Sequence, residues 1–373
     1  MNDLRLDKLA EVLVSYSTKV RQGDIVCVSG EEVSLPFIKA ISKEAAKKGG
    51  IVRYIIDIPE IDEFILKNGS EAQINIPNFR FGECIKGDVW ISAWGTDNVN
   101  TFKSVSPEKL KLRRLGNSEN HKTYMKKSAT GELRWCGTQF PTPADAQYAG
   151  MSLLEYEEFV YNAGFLYEAD PVSKWREIEK RQEKWIGYLD KKEYIRYVAK
   201  DTDINICVKG RKWINCCGKE NFPDGEIFTS PVEYDINGKI TFSYPAIMNG
   251  HEFEEVSLVV HNGRITDVSC KNKDMQDILI SYIDTDNGSR FFGEAAIGTN
   301  YNISRYTKNI LFDEKMGGTV HMAIGAAMEE AGGKNESAIH WDMINDMTNG
   351  GKIYADGELF YENGRFIEDI LKG

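Results

Sequence analysis

Histidine is scarce in this chain, with five residues in 373, so each imidazole has to be accounted for singly. No run of about 18 apolar residues occurs, which argues against a membrane-spanning helix. The seven cysteines, Cys27, Cys84, Cys136, Cys207, Cys216, Cys217 and Cys270, are odd in number, widely spread and without a CxxC pair. Neither a disulfide framework nor a four-cysteine zinc site is therefore expected, and a reducing cytoplasm fits. The first residues, MNDLRLDKLAEVLVSYS, carry charge throughout and lack the apolar core of a signal peptide. No GxGxxG follows the first strand, and no GxxxxGK motif or GxSxG elbow is present, which argues against nucleotide binding and serine hydrolysis. His251-Glu252-Phe253-Glu254-Glu255 opens like a zincin helix but ends on glutamate, so it reads as a polar edge. Positive charge is also short: the net charge of -11 leaves no basic face for nucleic acid or an anionic membrane.

What is present is an ordinary soluble composition, 42% hydrophobic and 28% charged. The length calls for two domains. Leu6, Leu9, Leu13 and Tyr16 fall at helical spacing, and Ile25 to Val28 is an apolar strand. Leu35-Pro36-Phe37 opens a helix striped by Ile38, Ile41 and Ala45, and Gly49-Gly50 ends it before a strand at 51–56. Strand, helix and strand make a βαβ unit and predict a parallel sheet, with Asp88 to Ala93 as a third strand. From Asp170 to Tyr197 a charge-rich stretch with an apolar stripe of Trp175, Ile178, Trp185 and Leu189 reads as a connecting helix. Beyond it, alternating runs at 203–207, 239–242 and 256–260 are separated by Asn-Gly and Asp-Gly turns. Asn237-Gly238 and Asn262-Gly263 are hairpin signals, and 354–360 repeats the pattern. The expectation is α/β: residues 1–190 as an N-terminal domain with a mostly parallel sheet and flanking helices, and 191–373 as a mainly antiparallel β domain.

The second half also holds the residues that could carry chemistry. His340-Trp341-Asp342 places an imidazole and a carboxylate on one face of an extended strand, where both could reach one cation. Such a pair is common on exposed strands and decides nothing alone. His321 stands in a small, apolar, glycine-rich stretch, Gly317 to Gly325, where a hydrogen-bonded core histidine is the plain alternative. Glu294, enclosed by Phe291, Phe292, Ala295, Ala296 and Ile297, needs a cation or a proton if buried. Glu226 follows the turn Pro223-Asp224-Gly225 and opens a strand, where a solvated turn residue is the commoner case. Together the three carboxylates and two imidazoles suit a co-catalytic pair of cations. Cys216-Cys217 reads as a pair of small buried residues.

Taken in order, these residues resemble the M29 family of metallo-aminopeptidases, the aminopeptidase T and aminopeptidase S group. The resemblance rests on Pro223-Asp224-Gly225-Glu226-Ile227-Phe228-Thr229, Gly293-Glu294, Asp313-Glu314 through His321 to Gly325, and Asn335 through Asp342. In the first half it extends to Gly131 through Thr138, Pro141-Thr142-Pro143-Ala144 and Ala149 through Leu153. It implies a C-terminal β domain with a dinuclear metal site, ligands Glu226, Glu294, His321, His340 and Asp342, and two divalent ions, with zinc, cobalt or manganese suited to the donors. It further implies a homodimer that acts on peptides with a free N-terminus, and the cysteine usage places it in the cytoplasm; for proton transfer Glu294 is the first choice and Glu314 the second. Two positions depart from the pattern. Met328 stands where the family has a tyrosine, and Lys315 where a smaller polar residue is expected. Met328 keeps two alternatives open: a related hydrolase of small amides, or a weakly active or non-catalytic metal-binding member.

Overall fold

The computed structural model describes residues 3–372, and these divide into two compact units. The first comprises residues up to Lys174 together with Gly218–Pro223, and the second comprises Trp175–Cys217 and Asp224 onward.

The first unit is built on the parallel sheet that its strand–helix–strand pattern predicts. Strands β1 (Ile25–Glu31), β2 (Ile51–Asp57), β3 (Val89–Trp94) and β4 (Arg134–Gln139) lie in the order β2-β1-β3-β4, and the short strand Asn221–Phe222 adds to β4. All four pairings are parallel, as helical crossovers require. The helix Leu4–Val12 continues as a single wider turn to Ser17 and buries Leu9, Leu13 and Tyr16. Pro36 sits in the first turn of the helix Leu35–Lys47, whose Phe37, Ile38, Ile41 and Ala45 are buried. Cys27 on β1 and Cys84 at the end of the helix Phe79–Cys84 form a disulfide with Cα atoms 5.3 Å apart. The scatter of the cysteines predicts no disulfide framework, and this single bridge joins residues 57 apart that only the fold brings together.

The second unit is antiparallel, as expected, with an eight-stranded sheet and a five-stranded sheet. The helix Pro171–Leu189 precedes them and stops short of the predicted end, because Tyr194–Ala199 is a strand that turns Ile195 and Tyr197 inward at a period of two. Asn262-Gly263 forms the predicted two-residue hairpin, with both residues at positive φ. Asp356-Gly357 does the same. Asn237-Gly238 does not turn. Both residues lie inside the strand Ile236–Thr241, paired on either side. Gly238, at φ 133°, passes so close to the neighbouring strand that a Cβ would strike the Asp203 carbonyl. The glycine serves close backbone approach instead of a bend.

Candidate metal centre

The five-stranded sheet of the second unit carries every candidate ligand. Its strands run across the sheet in chain order: β5 (Ile214–Cys216), β6 (Glu226–Thr229), β7 (Phe292–Gly298), β8 (Thr319–Gly325) and β9 (His340–Asp346). Alternation sends Ile227, Ala295, Ile297, Val320, Met322, Ile324, Trp341 and Met343 to one face, where they join the main hydrophobic core. By the same period of two, Glu226, Glu294, His321, His340 and Asp342 point to the other. Cross-strand register sets their spacing. Glu226 lies opposite Gly298, Glu294 opposite Ala323, Ala323 opposite Asp342, and His340 opposite Gly325. The small residues between the functional ones leave room for the long side chains to converge.

They do converge. His321 Nε2 lies 3.2 Å from Glu294 Oε1, 3.4 Å from Glu226 Oε2 and 4.0 Å from Asp342 Oδ1. His340 Nε2 lies 3.2 Å from Glu294 Oε2 and 3.5 Å from Asp342 Oδ2. The donor atoms of Glu226, Glu294 and His321 all fall within 4.8 Å of one another, as do those of Glu294, His340 and Asp342, and those of Glu314, His321 and Asp342. Glu294 thus belongs to two of these groups. Its two oxygens face different imidazoles. His340 Nδ1 is 2.8 Å from the Ala326 carbonyl; donating there, it leaves Nε2 free to act as the ligating nitrogen.

Electrostatics mark the cluster as built for positive charge. Burial drives the Glu226 pKa up to about 8, against the pull of Lys315. Burial also opposes ionisation of Glu294, yet hydrogen bonds from His321 and His340 prevail and hold its pKa well below the ordinary carboxylate range. For His321 burial disfavours the charged form, but Glu294 and Glu226 overcome it and raise the pKa to about 9. For His340 the same opposition is overcome by Asp342 and Glu294, again upward. Glu226 Oε2 and Asp342 Oδ1 are buried and accept no hydrogen bond. Unsatisfied carboxylate oxygens beside imidazole nitrogens are what a divalent cation requires.

Glu314 follows the helical turn Ile310–Asp313 and is held by Lys315, whose ammonium contacts it directly. Burial raises the Glu314 pKa in spite of that cation. Four further residues join the centre: Lys315, which the sequence marks only as a departure from the family pattern, and Asp224, Cys216 and Gln182. Lys315 is fully buried between Glu226 and Glu314. Asp224 and Cys216 join Glu226 in a further donor group. Gln182 is 1% exposed and donates to the carbonyls of Cys216 and Glu226, both at 2.9 Å, which ties β5 to β6. Its signal was present: residue 182 continues the stripe of Ile178, Trp185 and Leu189. Met328 packs beside Phe228, Ala296 and Ala331, so no hydroxyl stands at that position.

A family model of thermophilic metalloproteases (M29) matches residues 2–366. Aminopeptidase AmpS of Bacillus subtilis (strain 168) is 26% identical, with 97% of this chain and 98% of the relative covered. Aminopeptidase 2 of Geobacillus stearothermophilus is 24% identical, with 96% and 98% covered. Wild-type AmpT from Thermus thermophilus superposes with a TM-score of 0.83 at 21% identity, covering 97% of this chain and 99% of that one, a likeness of fold. With the match running over nearly the whole length, this chain belongs to the thermophilic metalloprotease (M29) family.

Proposed function

We propose that the protein is a metallo-aminopeptidase that releases N-terminal amino acids from peptides and holds two divalent cations on Glu226, Glu294, His321, His340 and Asp342. The observation that carries this is the single sheet face on which three carboxylates and two imidazoles from four strands meet within ligand distance. The unsatisfied oxygens of Glu226 and Asp342 support it, as do relatives named as aminopeptidases. Bound divalent cations would supply Lewis acidity to the scissile carbonyl and acidify water at neutral pH.

The chain's own residues divide the remaining work. Glu294 faces both imidazoles and is held ionised, so it would be a ligand common to both donor groups, and the proton-transfer role passes from it, the first choice on sequence, to Glu314. Glu314, buried with a raised pKa and sharing a donor group with His321 and Asp342, is the residue to take a proton from the attacking water and return it to the leaving amine. Zinc, cobalt and manganese all suit the nitrogen and oxygen donors. The cytoplasmic homodimer belongs to the same reading. Sedimentation of the purified protein tests the dimer. None of the helices among the described residues is long and apolar enough to cross a membrane.

The test is hydrolysis of leucyl and aromatic amino-acid p-nitroanilides after loading with Zn²⁺, Co²⁺ or Mn²⁺, next to N-acetylated peptides and small amino-acid amides. Cleavage confined to free N-termini is expected. Preferential hydrolysis of the amides would move the protein to the small-amide reading, and no turnover with two ions bound would remove the peptidase.

A further inference from the structure

Lys315 is the charged group that the catalytic reading leaves unexplained. Its side chain is 1% exposed, and a buried ammonium persists only where counter-charges meet it. The Nζ atom lies 3.3 Å from Glu226 Oε1 and closer still to Glu314 Oε1. Asp224 and Cys216 are also within its electrostatic reach. Without the lysine, Cys216, Asp224 and Glu226 offer three donor atoms within 4.8 Å of one another, and a thiolate with two carboxylates is a cation site that favours softer ions. Through Glu226 the ammonium therefore stands against the donor group that, among the described residues of the centre, contains sulfur.

The charges agree with this placement. Five carboxylates surround the centre: Asp224, Glu226, Glu294, Glu314 and Asp342. Two divalent ions and one ammonium balance them. Asp313 is not one of the five, because its Oδ1 accepts hydrogen bonds from Thr307 N and Oγ1 instead.

We propose that Lys315 is a resident third cation that fills the Cys216–Asp224–Glu226 group, limits the centre to two divalent ions, and keeps a thiolate-bound one out. This rests on the metal-centre reading above and adds a positioning role, since the same ammonium orients Glu226 and Glu314. A metal in its place would be exchangeable, whereas a covalently held charge is always present.

Cadmium tests it on the full-length protein, because Cd²⁺ bound to thiolate gives an ultraviolet charge-transfer band that nitrogen and oxygen ligation does not. Wild type and Lys315→Arg are expected to take up two cadmium ions without the band, by native mass spectrometry and elemental analysis. Lys315→Met is expected to take up a third ion and show the band, and Lys315→Met with Cys216→Ser to lose both. Should Lys315→Met not fold, Lys315→Gln, which keeps a polar amide but carries no charge, reads the same band. A wild-type protein that already shows the band, or neutral variants that bind two ions without it, would overturn the proposal. Wild type that binds no cadmium while Lys315→Met gains the band would remove the two-ion reading and leave the role of Lys315 standing.

Discussion

Replacing Glu294 by glutamine removes one negative charge from the middle of the centre while keeping the side chain's shape. The two carboxylate oxygens each lie 3.2 Å from an imidazole Nε2, and Glu294 is the residue shared by the Glu226–Glu294–His321 and Glu294–His340–Asp342 groups. At an effective dielectric of about 20, a unit charge pair at that distance attracts by roughly 5 kcal/mol before desolvation. Removing one partner of a buried pair costs a net of about 3–5 kcal/mol. Glu294→Gln should accordingly lower cation affinity by about 10²–10⁴-fold, and for both donor groups together, since the residue belongs to both. Calorimetric titration with Zn²⁺ or Mn²⁺ reads the affinity, elemental analysis the stoichiometry, and circular dichroism the fold. Glu330→Gln is the control: Glu330 feels the charge of Glu294 but belongs to no donor group, and its loss should change affinity less than about threefold, as screening of a partly exposed charge allows. If Glu294→Gln bound two ions with wild-type affinity, the shared-ligand assignment would be wrong.

Three further outcomes are expected. Met328→Tyr adds a phenol beside Ala296 on the site's face; one donor to a developing oxyanion is worth about 10²–10³ in turnover, so kcat should rise at least about tenfold with KM little changed, and an unaltered kcat would show that the hydroxyl is not missed. Asp313 is buried and its pKa is raised to about 7, with burial the main cause. Its folded form therefore holds a proton that the unfolded chain has already lost above about pH 4, and stability is greatest below that pH and falls as pH rises through about 7, by up to roughly 4 kcal/mol. Urea unfolding at pH 5 and pH 8 should show roughly 3 kcal/mol of that loss in wild type and a much smaller one in Asp313→Asn; equal losses would refute the assignment. Gly238→Ala forces a Cβ onto the Asp203 carbonyl at a positive φ and should cost more than about 2 kcal/mol, whereas a mid-strand glycine of no special role would lose nothing on gaining a methyl.

Much of the site was legible because it rests on short-range rules. The spacing of His340 and Asp342 puts both on one face of any strand, and β9 is one. Glu294 and His321 stood out as polar residues in apolar runs, and both runs are fully buried strands. Lys315 and Gln182 were harder. A lysine beside a glutamate and a glutamine on a charged helix look solvated, and only their partners across the fold make them otherwise. Asn237-Gly238 carried the residues of a turn, but positive φ also serves a strand that must approach its neighbour closely, and the dipeptide does not say which.

The sequence by itself determined the alternation that separates a hydrophobic face from a polar one along β6 to β9, because side-chain direction repeats every two residues whatever the strand pairs with. It also determined which residue types were available to hold a cation. Only the tertiary structure decided that those residues meet. Cross-strand register places Glu294, Ala323 and Asp342 in one row and brings Glu226 and His321 beside it, and register depends on partners as far along the chain as Glu226 is from Gly298. The fold likewise delivered Lys315 between Glu226 on β6 and its own neighbour Glu314, where a buried ammonium is tolerable only because those carboxylates meet it.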